Sequence, residues 1–195
     1  MIPSIDRRTF LTAGVAAGVA SLLVTAAAAQ SITDRERTRW LRDGVGGGAG
    51  RVARGSALPT TALRVRDRGD RWVSVGIDPT RSVDMSIYFS LDSAVLEPRA
   101  MRNLAWLGRA LQTELLGRRY LLAGHTDVTG SHDHNVELSL ERARSVRDHL
   151  VGRWGIDPDT LYVAGFGPDH LRDPGRPTAA ENRRVEIVAI RDILR

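Results

Sequence analysis

The chain reads as an α/β protein in the order β-α-β-α-β-β, with two helices on one face of a mixed sheet. Three observations predict this. Apolar residues recur at helical spacing over 98–115 and 135–154. Apolar and polar residues alternate over 83–89 and 184–190. Short apolar runs at 120–123 and 161–164 sit between these segments. The first three strands are joined by helical crossovers, so they can run parallel, and the last, reached by a loop, can run antiparallel.

Each element has its own signal. Val83, Met85, Ile87 and Phe89 fall on one side of an alternating strand. Pro98 suits the first turn of a helix, because its missing N–H has no intrahelical partner there. Met101, Leu104, Leu107, Leu111 and Leu115 then form one face, and Gly117 can end the helix. Tyr120 to Ala123 is a buried strand that runs into a glycine-bounded turn at Gly124. A second helix is expected from Asn135, with Leu140, Ala143, Val146, Leu150 and Trp154 on its inner face and Gly155 as its stop. Leu161 to Ala164 is the next strand, the proline- and glycine-bearing stretch 165–180 a loop, and Arg184 to Ile190 the closing strand.

Upstream of this core the sequence is less regular. Residues 31–42 are polar and read as a short helix; 44–50 are glycine-rich and read as a flexible linker. Residues 61–66 and 71–77 read as a hairpin about Gly69-Asp70, with Trp72, Val73, Val75 and Ile77 buried. The expected division is an export signal at 1–29, an extension at 30–80 and the α/β domain at 81–195.

The N-terminus carries Arg7-Arg8-Thr9-Phe10-Leu11 before an uncharged run at 12–29 that ends in three alanines. A basic start, an apolar middle and small residues at the end make a secretory signal, and the paired arginines resemble a twin-arginine export signal. Cleavage before Gln30 is expected; the same run left uncut would be a membrane anchor. Cysteine is absent, which excludes disulfides, thiolate metal ligands, thiol catalysis and a lipid carried on cysteine. The net charge is +5, and the basic residues, all arginine, are scattered among acids. That dispersal argues against nucleic acid, and the modest positive balance fits a polyanionic wall or anionic lipid.

The chemistry concentrates in three segments: Gly124-His125-Thr126-Asp127-Val128-Thr129-Gly130, Leu138 to Val146, and Asn182-Arg183-Arg184-Val185-Glu186-Ile187. Asp127 follows the carboxyl end of a strand, where open α/β sheets place ligands. Arg142 lies about two turns into the next helix, roughly 10 Å of rise, so its long side chain can reach back toward Asp127. A carboxylate beside a planar guanidinium is the complement of a zwitterion. The same fork could instead pair with Asp127 in an empty site.

This three-part pattern resembles the OmpA-like peptidoglycan-binding domain, shared by OmpA, Pal and MotB, over residues 82–190. The resemblance implies that Asp127 takes the ammonium and Arg142 the carboxylate of a diaminopimelate residue in the wall's stem peptide. It also implies that Asn135 bonds the stem, that Thr126 and Gly130 shape the turn that presents backbone N–H groups, and that Arg183 lies on the binding face. No cofactor and no catalysis are implied. The expected partner is diaminopimelate-type peptidoglycan, with residues 31–80 available to a second envelope protein and membrane contact only if the signal stays uncut. The expected location is the periplasm or cell envelope, in association with the outer membrane.

A rival reading uses His125, His132, Asp133 and His134 as a zinc cluster serving a metal-dependent envelope enzyme or sensor. No His-Glu-x-x-His motif supports it, and Asp127 with His125 and Ser131 is the one local set resembling a hydrolase, without a Gly-x-Ser-x-Gly elbow. A stator-like role would need an ionisable residue within the apolar run, and 12–29 has none. A porin-like role would need about eight membrane strands, and 31–80 is too short for them.

Overall fold

A computed structural model describes residues 33–43, 62–85, 87, 89–90 and 92–194. The export signal and the glycine-rich stretch at 44–50 lie outside the described residues. The elements are α1 (Asp34–Asp43), β1 (Leu63–Arg66), β2 (Trp72–Met85), α2 (Pro98–Gln112), β3 (Tyr120–Gly124), α3 (His132–Trp154), β4 (Leu161–Gly165) and β5 (Val185–Leu194).

The sheet order is β1-β2-β5-β3-β4. β3 and β4 are parallel, while β5 lies antiparallel between β2 and β3. The closing strand is thus antiparallel, as its loop connection led one to expect, and it enters the middle of the sheet. The sheet also curls until β1 meets β4 through the pair Arg66↔Val163, which closes it into a barrel.

Closure changes the packing. α2 and α3 cover one face, as the sequence predicts, but the other face is not left to water. On β3, Tyr120 and Leu122 point into the core beneath the helices, while Leu121 and Ala123 point into a second core with Val65, Val75, Ile77 and Val188. The two-residue side-chain period of a strand divides one apolar run between two interiors.

The hairpin and the first domain strand are one element. β2 runs through residues 80 and 81, where the sequence reading placed a domain boundary, and irregularities at Gly76/Ile77 and Asp78/Ser82 bend it so that both halves pair with β5. β2 stops at Met85, so Phe89 lies in the following loop, not on a strand. Trp72 is 51% exposed, contrary to the expected burial. Neighbours on a strand face opposite ways, so with Val73, Val75 and Ile77 needed inside or between, Trp72 turns outward. There the Arg66 guanidinium lies 3.8 Å from its ring centroid.

α2 begins at Pro98 and buries Ala100, Leu104, Leu107 and Leu111; Met101 falls off that stripe and is 41% exposed. α3 begins three residues before Asn135, because Ser131 caps it by accepting from the His134 N–H. Gly155 ends it in the left-handed conformation (φ 63°).

Candidate functional site

The loops at the carboxyl edge of β3 and β4 build a cleft against α3. Two glycines make the approach possible. A Cβ on Gly124 would sit 1.9 Å from the Ser139 carbonyl oxygen, and one on Gly165 would sit 2.4 Å from that of Val136. Gly124 and Gly165 are paired across β3 and β4, so the helix backbone presses directly on that sheet edge. The Ser139 hydroxyl, fully buried, donates to the Val136 carbonyl and accepts from the Gly167 N–H at 2.9 Å, pinning the β4–β5 loop to α3.

Asp127 opens the loop after β3 and is 7% exposed. One carboxylate oxygen accepts from the Thr129 N–H (2.9 Å) and the other from Arg183 Nη1 (2.7 Å). Burial pushes its pKa up, but the bonds from Arg183 and Thr129 outweigh burial and hold the carboxyl below its ordinary range. The carboxylate is therefore ionised at neutral pH.

Arg142 is 2% exposed and does not pair with Asp127. Its Nε donates to the Ser93 carbonyl (3.0 Å), its Nη2 points at that of Ser90 (3.5 Å), and its guanidinium carbon lies 5.1 Å from the Phe89 ring centroid. Burial lowers its pKa, as does the Arg183 charge, while Asp127 and Asp92 act the other way. An arginine remains protonated under such shifts. The cleft thus brings together one carboxylate and two guanidinium groups with little water around Arg142.

The remaining expected residues hold the loop. Asn135 is 3% exposed and donates from its amide to the Thr129 carbonyl (2.9 Å). Gly130 adopts φ 95°, a conformation that side-chain-bearing residues rarely take. Thr126 is buried and its N–H is taken by the Gly167 carbonyl (2.9 Å), so that donor is not offered to the cleft. Asn182 was missed as an organiser. Wholly buried, it donates to the Arg176 and Pro177 carbonyls and accepts from the Asp173 N–H, folding the long loop that delivers Arg183. Its place directly before Arg183 was the available signal.

The histidines do not converge. His125 is fully buried, stacks on Phe166 (centroids 5.6 Å apart), and its Nε2 lies 3.6 Å from a Glu186 oxygen. Burial lowers its pKa to about 4, so the ring is neutral at pH 7. His132 and His134 lie in the first turn of α3, not in a loop, and are exposed. His132 Nε2 pairs with Asp169 (2.8 Å), and His134 Nε2 pairs with Asp92 (2.6 Å). Among the described residues no group of three His, Cys, Asp or Glu could hold a metal ion, so the zinc cluster is not assembled. The hydrolase-like set fails similarly, since His125 faces Glu186 and Ser131 caps α3.

Fold and cleft together define a mixed α/β domain whose charged groups, Asp127 and Arg183 on loops and Arg142 on α3, gather at one sheet edge. Residues 88–185 match the OmpA family, and the chain belongs to that family. The peptidoglycan-associated lipoprotein of Pseudomonas aeruginosa is 36% identical over 104 residues, covering 52% of this chain and 60% of that protein. The peptidoglycan-binding protein ArfA of Mycobacterium tuberculosis is 42% identical over 72 residues, covering 36% of this chain and 22% of that one. The match thus spans less than two thirds of each relative. Among solved structures, the OmpA-like domain of FopA1 from Francisella tularensis superposes with a TM-score of 0.50 at 18% identity, covering 78% of this chain and 96% of that one, a likeness of fold.

Proposed function

We propose that this protein binds peptidoglycan without catalysis and so tethers or localises itself to the wall within the cell envelope. The observation that supports it most is the Asp127–Arg183 pair beside a buried, ionised Arg142. Leaving Arg142 nearly dry, with neutral backbone carbonyls and no carboxylate accepting from it among the described residues, makes sense for a carboxylate ligand, because a charge-assisted bond formed out of water is stronger than one formed in it. The names of the two curated relatives point to the same partner.

The finer reading is recognition of the free zwitterionic end of diaminopimelate. Asp127 accepts from the ammonium, and Arg142 donates to the carboxylate. Arg183, which holds Asp127 in the empty cleft, is 39% exposed at its side chain and can swing to share that carboxylate. Asn135, Thr126 and Gly130 keep the loop in shape. A lysine stem would offer an ammonium with no carboxylate and leave Arg142 without a partner. Export through a twin-arginine signal at 1–29, docking of another envelope protein on 31–80, residence in the periplasm and association with the outer membrane belong to the same proposal.

The test is calorimetric titration with a diaminopimelate muropeptide beside its lysine-stem analogue. Binding of the first alone supports the clasp. Equal binding of both would leave wall binding standing but remove the zwitterion reading, and binding of neither would remove both.

A further inference from the structure

A second acid–base pair lies beside Arg142. His134, in the first turn of α3, bonds through Nε2 to an Asp92 carboxylate oxygen at 2.6 Å. Asp92 stands in the β2–α2 loop between Ser90 and Ser93, the two residues whose carbonyls face Arg142. It adopts φ 51°, a conformation that aspartate and asparagine tolerate better than other residues with a side chain. The side chains of His134 and Asp92 are 54% and 67% exposed, so His134 can exchange a proton with solvent.

The other charges near this pair have partners of their own. Asp133 and Asp169 both lie against His132, at 3.6 and 2.8 Å. Glu137, a turn further along α3, faces Arg144 (3.3 Å). Glu97 accepts from the Ser90 hydroxyl (2.8 Å), and Asp127 is held by Arg183 (2.7 Å). Among the described residues, His134 is the one basic side chain within ion-pair distance of Asp92. The Asp92 charge also reaches Arg142, whose pKa it acts to raise against the lowering by burial and by Arg183. A carboxylate brought to Arg142 therefore meets the field of Asp92 as well, and like charges oppose one another. Histidine is the side chain that gains or loses its charge between about pH 5 and pH 8.

We propose that Asp92 and His134 together set how strongly the cleft takes a ligand carboxylate. With His134 charged, the pair is neutral and Arg142 acts on the ligand unopposed. With His134 neutral, the Asp92 charge is uncompensated and works against the incoming carboxylate. Affinity is thus higher on the acid side. Both residues act through the field at Arg142 and not by touching the ligand. The inference rests on the wall-binding reading, since the ligand group is the diaminopimelate carboxylate at Arg142.

The experiment is calorimetric titration of the full chain with a diaminopimelate muropeptide at about pH 5.5 and about pH 8, on either side of the histidine range. Wild type should bind about threefold more weakly at the higher pH, the size expected of a solvent-screened charge. His134→Gln should bind weakly at both, because Gln never carries the charge. Asp92→Asn, which suits the backbone of this position, should bind more tightly than wild type at the higher pH. His132→Gln, which breaks the pairs with Asp133 and Asp169, should keep the wild-type profile. A strap with no electrostatic role would weaken binding when cut from either side, so an Asp92→Asn that binds less tightly than wild type at the higher pH would overturn the proposal. So would a flat wild-type profile, one that His134→Gln leaves unchanged, or one that His132→Gln flattens equally. Titration of the ligand itself appears in every variant and cancels in the comparison. Wild type that binds without this pH dependence removes the inference alone, whereas wild type that binds at neither pH removes the wall-binding reading and the inference with it.

Discussion

Replacing Asp127 with Asn removes one charge and almost no volume, so it isolates the electrostatics of the cleft. In the folded protein the Asn oxygen can still accept from the Thr129 N–H, which holds the loop at 2.9 Å in the wild type. What disappears is the charge-assisted bond from Arg183 at 2.7 Å. Arg183 is 39% exposed at its side chain, so solvent screens that pair and its loss should cost about 1 kcal/mol of stability. For a domain of this size that lowers Tm by roughly 2–4 °C. Ligand binding should suffer more. An ammonium facing a neutral amide forfeits a charge-assisted bond of about 1.5–3 kcal/mol, or roughly ten- to 150-fold in Kd. The pH dependence carries a further signature. Because the folded Asp127 carboxyl titrates below its unfolded value, its stabilisation is complete above the unfolded pKa and is lost as pH falls through the folded one. Melting curves from pH 7 to pH 2 should therefore show a smaller acid loss in Asp127→Asn than in wild type. Calorimetry with a diaminopimelate muropeptide, beside these melts, checks both halves. A cooperatively folded Asp127→Asn that binds as tightly as wild type would refute the role given to this carboxylate.

Gly124→Ala should destabilise by about 3 kcal/mol or more, seen as a large drop in Tm, because its Cβ would meet the Ser139 backbone and α3 would have to lift from the sheet. Trp72→Thr should change the unfolding free energy by about 1 kcal/mol or less, read from denaturant titration, since that side chain is half-exposed on the outer surface. His125 has a folded pKa depressed to about 4 by burial, so the unfolded chain takes up its proton first as the solution is acidified. Stability should fall between pH 6.5 and pH 4 by up to about 3 kcal/mol, and His125→Gln should flatten that part of the profile in pH-dependent urea titrations. His132 has the opposite sign: Asp169 raises its pKa, so its pairing is complete below the unfolded value and is lost as pH rises through the folded one. Backbone amide signals of the loop around Asp169 should then shift on alkalinisation in wild type and not in His132→Gln.

Local patterns determined most of the elements. Pro98, the spacing of Leu104, Leu107 and Leu111, and Gly155 specify helices by rules that act within a turn or two, so they are legible in one dimension. The strands at 120–124 and 161–165 were legible as apolar runs, and Asp127 and Arg142 as an acid and a base one loop and two turns apart. Which groups meet was not legible. Asp127 pairs with Arg183 across the chain, while Arg142 donates to carbonyls of the β2–α2 loop, because loop paths set by Asn182 and by the contact of Gly124 and Gly165 with α3 decide those distances. Closure of the sheet through β1 and β4 was invisible for the same reason. A single pair at Arg66↔Val163 depends on the accumulated bend of β2, and it decides that Leu121 faces a second core and that Trp72 faces water. Sequence fixes what each segment can bury locally; only the folded chain decides against what it is buried.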